Sequence, residues 1–245
     1  MTALRECRHC GLMYRIPTDT QIESHQFYQQ DYSEGATTEC PDEAELLKLK
    51  EGNFSEASNS YGRYLEVLQH LGYRRGTRVF DFGCSWGYGS YQMVQVGYSV
   101  TSYEVSAERR AYAAERLGVD TVSDLSRAAC DFDVFFSAHV LEHVPDLQEV
   151  IRLAKRITKP GGLFIAFTPN GSLDYRNTHR EAFHKSWGLV HPNVLQDKFY
   201  RHLFVEQPYL LASDPYPASQ ISSWNKRDQL VCDLSGGELL AVAVL

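Results

Sequence analysis

The sequence predicts an α/β protein built on a doubly wound, mostly parallel sheet of seven strands with helices on both faces. Short apolar runs alternate along the chain with longer segments whose apolar residues recur at helical spacing. The apolar runs, such as residues 163–168, fit strands that are covered on both faces. Right-handed crossovers in such a sheet bring the carboxyl ends of its parallel strands to one edge, where ligands bind.

Composition narrows the class of protein. The chain has 245 residues, of which 43% are hydrophobic and 22% charged, as in ordinary globular proteins. A net charge of −7 disfavours nucleic acid as the main partner. No apolar run approaches the roughly 20 residues of a membrane span, and the first residues lack the apolar core of a signal peptide. We therefore expect a cytoplasmic protein with a small-molecule partner, no nucleic acid and no membrane, whose oligomeric state the sequence leaves open.

Residues 1–55 differ in character from residues 56–245, and we interpret them as a leader and connector before the main domain. Cys7 and Cys10 form a C-x-x-C-G turn of the kind that presents two thiolates to Zn²⁺. A structural zinc needs four ligands, and His9, His25 and Cys40 lack a convincing spacing. A tight turn with two reduced thiols is therefore favoured, and zinc is the alternative.

The remaining elements follow in order. Residues 17–35 are aromatic and polar, consistent with a helical turn and a loop. Apolar spacing and turn residues predict further helices at 42–50, 56–71, 90–96, 106–117, 146–158 and 193–203. The predicted strands are 78–82, 99–104, 121–122, 132–137, 163–168, 209–213 and 238–244.

A glycine turn follows the first predicted strand of the sheet. Asp81 closes the strand, Gly83, Ser85 and Gly87 follow, and a helix begins. Such a turn brings bare backbone and a helix N-terminus close to a ligand. Glu104 closes the second strand 23 residues after Asp81, near the roughly 20-residue spacing at which an acidic side chain meets a ribose diol.

Two further strand ends complete the predicted cofactor site. Asp124 follows the third strand, within reach of an adenine amino group, and Ser137, Ala138 and His139 follow the fourth. Taken singly, Asp81 could cap a helix and Glu104 could be a surface charge. Their joint occurrence at the correct strand ends favours a cofactor site.

The order of residues in the turn indicates the kind of cofactor. A nicotinamide-binding turn has the order G-x-G-x-x-G, whereas this turn reads D-x-G-x-S-x-G. A carboxylate facing the site would repel a pyrophosphate but could pair with an ammonium group. The sequence therefore favours S-adenosylmethionine over a dinucleotide.

The motifs together resemble the class I S-adenosylmethionine-dependent methyltransferases. They are VFDFGCSWG at 79–87, Glu104, FDVFFSAHVLEHV at 132–144 and KPGG at 159–162. The resemblance covers residues 56–170 and, loosely, the last strand, and it implies the Rossmann-like methyltransferase sheet. It departs from the family at Ser85, where a glycine is usual.

The resemblance also implies roles for the cofactor-binding residues. The methionine part is expected to contact Asp81, Gly83, Ser85 and Gly87, and the ribose is expected to contact Glu104. The adenine is expected to lie against Val105, Asp124 and Leu125. The sulfonium and the acceptor are expected beside Ser137, Ala138 and His139.

The leader sharpens the resemblance. Its C-x-x-C-G turn and residues 27–32 look like the leader of bacterial methyltransferases that begin with a zinc knuckle and act on sugars or other small metabolites. Those proteins carry a second cysteine pair upstream, whereas six residues precede Cys7 here. We expect methyl transfer to an oxygen or carbon of a sugar, glycan or related small polar metabolite. The alternatives are a catalytically silent methyltransferase-like binding subunit and an NAD-dependent oxidoreductase.

Histidines are the candidate general bases, because imidazole titrates near neutral pH. His191 is the first candidate and His139 the second, with His184 also considered, whereas His143 is interpreted as structural. The predicted acceptor region is residues 170–192, which mix cationic and aromatic side chains, and a solvated loop is the alternative. The side chains in question are Tyr175, Arg176, Arg180, Lys185 and Trp187.

Overall fold

The computed structural model describes residues 2–18, 20, 23, 39–55, 57–188 and 191–245. Most of the aromatic segment predicted at residues 17–35, with His25, lies outside these residues. The strands are β1 (Ala3–Glu6), β2 (Met13–Ile16), β3 (Arg78–Phe82), β4 (Ser99–Tyr103), β5 (Asp120–Val122), β6 (Phe132–Ala138), β7 (Thr158–Pro169), β8 (Asn193–Val194), β9 (Tyr209–Ser213), β10 (Leu230–Val231) and β11 (Glu238–Val244). The α-helices are α1 (Glu43–Glu51), α2 (Gly62–His70), α3 (Tyr88–Gln95), α4 (Ala107–Leu117), α5 (Leu147–Ile157), α6 (Leu173–Thr178), α7 (Arg180–Lys185), α8 (Asp197–Leu203) and α9 (Ala218–Ser223).

The main sheet has the strand order β10-β9-β11-β7-β6-β3-β4-β5. Strand β11 is antiparallel to β7 and β9, and the other pairs are parallel. The predicted fold class is confirmed, and each of the seven predicted strands lies in this sheet. The described sheet has eight strands rather than seven, because Leu230 and Val231 pair with Leu210 and Leu211 at its edge.

Side chains of the central strands alternate between two apolar cores, which explains why apolar residues follow one another in these strands. Phe135 of β6 packs in one core with residues of α5 and α8. Its neighbour Phe136 packs in the core on the opposite face, with residues of α2 and α9. Helix α5 begins where the Asp146 side chain accepts a hydrogen bond from Glu149 N at 3.1 Å. The helices therefore cover both faces and leave the carboxyl ends of the parallel strands open for a site.

The leader forms a β-hairpin that joins a second, three-stranded sheet. The C-x-x-C pair lies in the hairpin turn, where Gly11 N donates to Cys7 O at 2.9 Å, and both cysteines are free thiols. Strand β2 pairs with β8, with Met13 opposite Val194. The helix predicted at residues 193–203 is wrong at its start. Backbone pairing with β2 holds Asn193 and Val194 extended, so the helix begins at Asp197.

Two other predicted elements differ from the structure. The helix predicted at residues 56–71 is shorter, since α2 spans Gly62–His70. The insert at residues 170–192 contains two short helices, α6 and α7. Among the described residues, no helix combines the length and apolarity that crossing a membrane requires.

Candidate active site

A cavity of about 670 Å³ opens at the carboxyl ends of β3, β4 and β6. Its volume lies within the range of small-molecule sites, roughly 300–1,000 Å³. The predicted cofactor residues that line it come from the segments after these three strands, namely Gly83, Ser85, Glu104, Val105, Ala138 and His139. The cavity therefore brings together the strand ends that the sequence identified.

The glycines of the turn are required by close packing. Gly83 has a φ of +88°, and a Cβ placed on it would lie 2.3 Å from Val140 Cγ2. Gly87 also has a φ of +88°, and its Cβ would lie 2.7 Å from Ala113 Cβ. Any side chain at either position would collide with its neighbour and strain the backbone. Gly87 does not line the cavity, so its place is to pack the turn against α4.

Ser85 and Glu104 join the turn to the end of β4. Ser85 has a φ of +52°, which explains why glycine suits this position. Its backbone N–H donates to Glu104 Oε2 at 3.0 Å, and Ser106 N donates to Oε1 at 2.8 Å. Burial raises the pKa of Glu104, although these two N–H groups oppose the shift. The carboxylate is fixed in orientation at the cavity, where it can accept hydrogen bonds from a diol.

Asp81 lies beneath the turn rather than on the cavity surface. Its side chain is 1% exposed, and Oδ2 accepts a hydrogen bond from Ser90 Oγ at 2.5 Å. Ser90 in turn accepts from Ser102 Oγ at 2.9 Å. Burial raises the pKa of Asp81 to about 7. The prediction that this carboxylate faces the cofactor is therefore not met in the structure, and its charge would act through the turn.

Three other predicted cofactor residues do not line the cavity. Asp124 Oδ1 accepts a hydrogen bond from Ser126 N at 2.9 Å and thereby caps a 3₁₀ turn formed by Leu125–Arg127. Leu125 is part of that turn and packs against the core beside it. Ser137 is 0% exposed and lies within β6.

His139 is held between two carboxylates. It has a φ of +54°, its Nε2 hydrogen-bonds Glu238 Oε2, and its Nδ1 lies 3.4 Å from Glu142 Oε1. Burial alone would lower the pKa of His139, but the two carboxylates outweigh it and raise the pKa to about 10. The ring is therefore an imidazolium at neutral pH, which does not suit the predicted role of general base.

Glu238, the first residue of β11, is a site residue that the sequence did not reveal. Tyr64 Oη and Arg63 Nη2 each donate to its Oε2 at 2.9 Å, and Tyr216 donates to its Oε1. Burial would raise the pKa of Glu238, but His139, Tyr216 and Arg63 lower it. Its partners come from distant parts of the chain, so no local motif marks this network.

Another part of the cavity surface brings together Glu142, His143 and His191, which are here called the Glu142 cluster. One ligand atom from each lies within 4.8 Å of the others. His143 Nε2 is 4.0 Å from Glu142 Oε1, and neither oxygen of the buried Glu142 carboxylate accepts a hydrogen bond. His191 Nδ1 lies 2.7 Å from Ser186 O and donates to it, which leaves the Nε2 lone pair available. The sequence indicates His191 as a candidate base and a structural role for His143, but it does not single out Glu142, so the cluster as a group was missed.

The rest of the predicted acceptor region lies away from the cavity. Among the described residues of the insert, His191 alone lines it. Arg176 instead contacts the leader, with Nη1 at 3.5 Å from Met13 Sδ, and His184 is exposed on α7. The other insert residues named above, Tyr175, Arg180, Lys185 and Trp187, do not reach the cavity either.

Comparisons with known proteins identify relatives of this chain. Residues 80–166 match the family model described as "Methyltransferase domain". The ubiquinone biosynthesis O-methyltransferase of Albidiferax ferrireducens is 31% identical over 169 residues, which cover 61% of this chain and 67% of that protein. The malonyl-[acyl-carrier protein] O-methyltransferase of Pectobacterium atrosepticum is 28% identical over 174 residues, 64% of this chain and 66% of the relative. The chain thus spans about two thirds of the length of these two relatives.

A solved structure shares the fold. The geranyl diphosphate C-methyltransferase from Streptomyces coelicolor A3(2) superposes with a TM-score of 0.54 at 16% identity, over 93% of this chain and 99% of that one.

Proposed function

The chain belongs to the class I S-adenosylmethionine-dependent methyltransferases, and on that basis we propose that it methylates an oxygen of a small polar acceptor. The observation that carries the proposal is the position of the Glu142 cluster in the same cavity as Gly83 and Glu104. One part of the cavity suits a nucleoside, and another offers imidazole and carboxylate groups to an acceptor. Both curated relatives are named O-methyltransferases, which favours oxygen over carbon.

The cofactor side of the cavity fits S-adenosylmethionine. The fixed Glu104 carboxylate would accept from the ribose hydroxyls, and Val105 would contact the adenine. The turn at Gly83 permits close approach of the backbone to the methionine part, and the buried Asp81 adds negative potential beneath it. No Lys or Arg follows Gly83 within the turn, consistent with a ligand that lacks phosphate.

The acceptor side must bring an oxygen in line with the donor and remove its proton. When bound, S-adenosylmethionine supplies a methyl group on a cationic sulfur, which becomes a neutral thioether once the methyl–sulfur bond breaks. Without a bound cation, His191 would orient the acceptor hydroxyl through its Nε2 lone pair and accept its proton. The imidazolium of His139, fixed by Glu142 and Glu238, would order the cavity surface next to the reacting atoms.

We propose a sugar, glycan terminus or related metabolite as the acceptor class. This part of the proposal is supported by the leader, whose C-x-x-C-G turn resembles that of methyltransferases acting on such molecules. The leader hairpin also contacts the acceptor side, because Arg15 N donates to Pro192 O, next to His191, at 2.7 Å.

Calorimetry with S-adenosylmethionine and assays of S-adenosylhomocysteine release test the proposal. We expect binding at one site per chain and product release with sugar or sugar-nucleotide acceptors. Glu104→Gln should weaken cofactor binding about tenfold, the effect of losing roughly 1.4 kcal/mol of charged hydrogen bonding. Glu206→Gln, at an exposed position outside the cavity, is the control. A protein that binds NAD but not S-adenosylmethionine would overturn the proposal.

A further inference from the structure

We infer that Glu142, His143 and His191 form a binding site for one divalent transition-metal ion beside the acceptor. These three residues bring one carboxylate and two imidazole nitrogens to a single point of the cavity surface. Within the described part of the chain, they are the group of His, Cys, Asp and Glu side chains whose ligand atoms converge in this way.

The spacing of the cluster fits a metal ion better than a hydrogen-bonded dyad. The three ligand atoms lie within 4.8 Å of one another, and His143 Nε2 is 4.0 Å from Glu142 Oε1. The separation of 4.0 Å between His143 and Glu142 is too long for a hydrogen bond. Metal bonds of about 2.0–2.2 Å to each ligand would span the distances between the ligand atoms after small side-chain rotations.

The Glu142 carboxylate provides independent support. It is 1% exposed, and neither of its oxygens accepts a hydrogen bond. Buried carboxylates are normally hydrogen-bonded or bound to metal, because leaving them without such partners costs free energy. The ion-pair approach of His139 at 3.4 Å compensates part of the charge but satisfies no hydrogen-bonding position.

His191 is oriented as a metal ligand. Its Nδ1 donates to Ser186 O at 2.7 Å, and metal-ligating histidines characteristically donate their second ring N–H to a carbonyl or carboxylate. The segment that carries His191 is fixed on both sides. Arg15 N donates to Pro192 O at 2.7 Å, and Asn193 Nδ2 donates to Val144 O at 2.7 Å, next to His143.

The ligand set indicates the class of metal. Imidazole nitrogens favour Mn²⁺, Fe²⁺, Co²⁺ or Zn²⁺ over Mg²⁺ and Ca²⁺, which prefer oxygen ligands. Three protein ligands leave open positions for water or substrate. The site therefore suits a cation that binds the acceptor rather than one that only stabilises the fold.

The role of the cation rests on the proposed function. Bound to the acceptor hydroxyl, it would lower the pKa of that group, and the proton would pass to solvent. The acceptor oxygen would then use a lone pair to form the carbon–oxygen bond as the methyl–sulfur bond breaks, and the sulfur would keep the bonding pair. In this arrangement His191 holds the metal and does not act as the base.

Titration of the protein with Mn²⁺, followed by electron paramagnetic resonance of the free ion and by calorimetry, tests the site directly. The wild type should bind one Mn²⁺ per chain. His143→Gln and His191→Gln should each weaken binding at least tenfold, as expected when a ligand is removed. His184→Gln, on the exposed face of α7, should bind like the wild type. Glu142→Gln is the third ligand variant, and the two histidine variants suffice if it fails to fold.

A second probe separates this site from the cysteine pair. Co²⁺ bound by nitrogen and oxygen should show no thiolate-to-metal charge-transfer absorption, and Cys7→Ser with Cys10→Ser should leave its binding unchanged. Absence of stoichiometric Mn²⁺ binding, or binding that survives both histidine variants, would overturn the inference. Calorimetry with S-adenosylmethionine on the same samples is independent of this readout, so failure of the metal site and failure of the proposed function are distinguishable.

Discussion

His139 Nε2 hydrogen-bonds the Oε2 atom of Glu238, and this contact joins the end of β6 to the start of β11. The two residues are far apart in sequence and lie at the ends of the two strands that flank β7. Tyr64, Arg63 and Tyr216 share the same carboxylate, so Glu238 ties α2 and the segment before α9 to the cavity. The position of His139 at the cavity thus depends on the buried carboxylate of Glu238.

Glu238→Gln should destabilise the protein by about 2 kcal/mol, because the buried carboxylate accepts charge-assisted hydrogen bonds from the partly exposed side chains of His139 and Arg63. Urea denaturation followed by circular dichroism measures this change. The exposed variant Glu206→Gln is the control and should change the free energy of unfolding by less than about 0.5 kcal/mol. Equal stability of the two variants would show that the network contributes nothing.

Ser85→Gly should stabilise the protein by about 0.5–1 kcal/mol, because glycine adopts the φ of +52° without steric cost. The bond from the backbone N–H of residue 85 to Glu104 remains in this variant. Ser85→Ala removes the hydroxyl but keeps the strained backbone, so it separates the two effects. Thermal unfolding of both variants checks the prediction, and a lower midpoint for Ser85→Gly than for Ser85→Ala would contradict it.

Asp81→Asn should gain stability relative to the wild type as the pH rises. Burial raises the pKa of Asp81 to about 7 in the folded protein, from the ordinary value of 3.8. The folded state therefore holds the proton more tightly, and the wild type loses stability as the pH rises from about 4 to 7. The asparagine variant has no such loss, so its advantage should grow by about 2 kcal/mol between pH 5 and 8.

Urea denaturation of both proteins across this pH range gives the comparison. The buried Ser90 hydroxyl can donate to either side chain, so the absolute effect of the substitution matters less than its slope with pH. A difference that stays constant with pH would mean that Asp81 ionises normally.

The main sheet was predictable because its strands are buried on both faces. The second half of β7, for example, contains the apolar run Leu163–Phe167, and the turns between the strands carry glycine or aspartate. Strands β1, β2 and β8 carry no such signal. They are two to four residues long, and β1 is half-exposed with charged residues, so only pairing with each other holds them extended.

The candidate site was predictable at strand ends and not elsewhere. Glu104 and His139 follow strands, and the sheet topology alone brings them to one edge. Glu238 starts an antiparallel strand, so its end of the strand reaches the same edge, which the spacing of motifs does not reveal. The orientation of the Asp81 side chain could not be predicted from the sequence either, because it depends on a hydrogen bond from the Ser90 hydroxyl.

Asn193→Ala tests whether the leader and β8 position the acceptor side. Its Nδ2 donates to Val144 O at 2.7 Å, and its backbone pairs with Tyr14 of β2. Loss of this bond should release the segment that carries His191 from the one that carries His143. We expect methyl transfer and Mn²⁺ affinity to fall about tenfold, the effect of roughly 1.4 kcal/mol, while affinity for S-adenosylmethionine stays unchanged. Asn177→Ala, on the exposed surface of α6, is the matched control. An equal loss of cofactor affinity in Asn193→Ala would point instead to a general loosening of the fold.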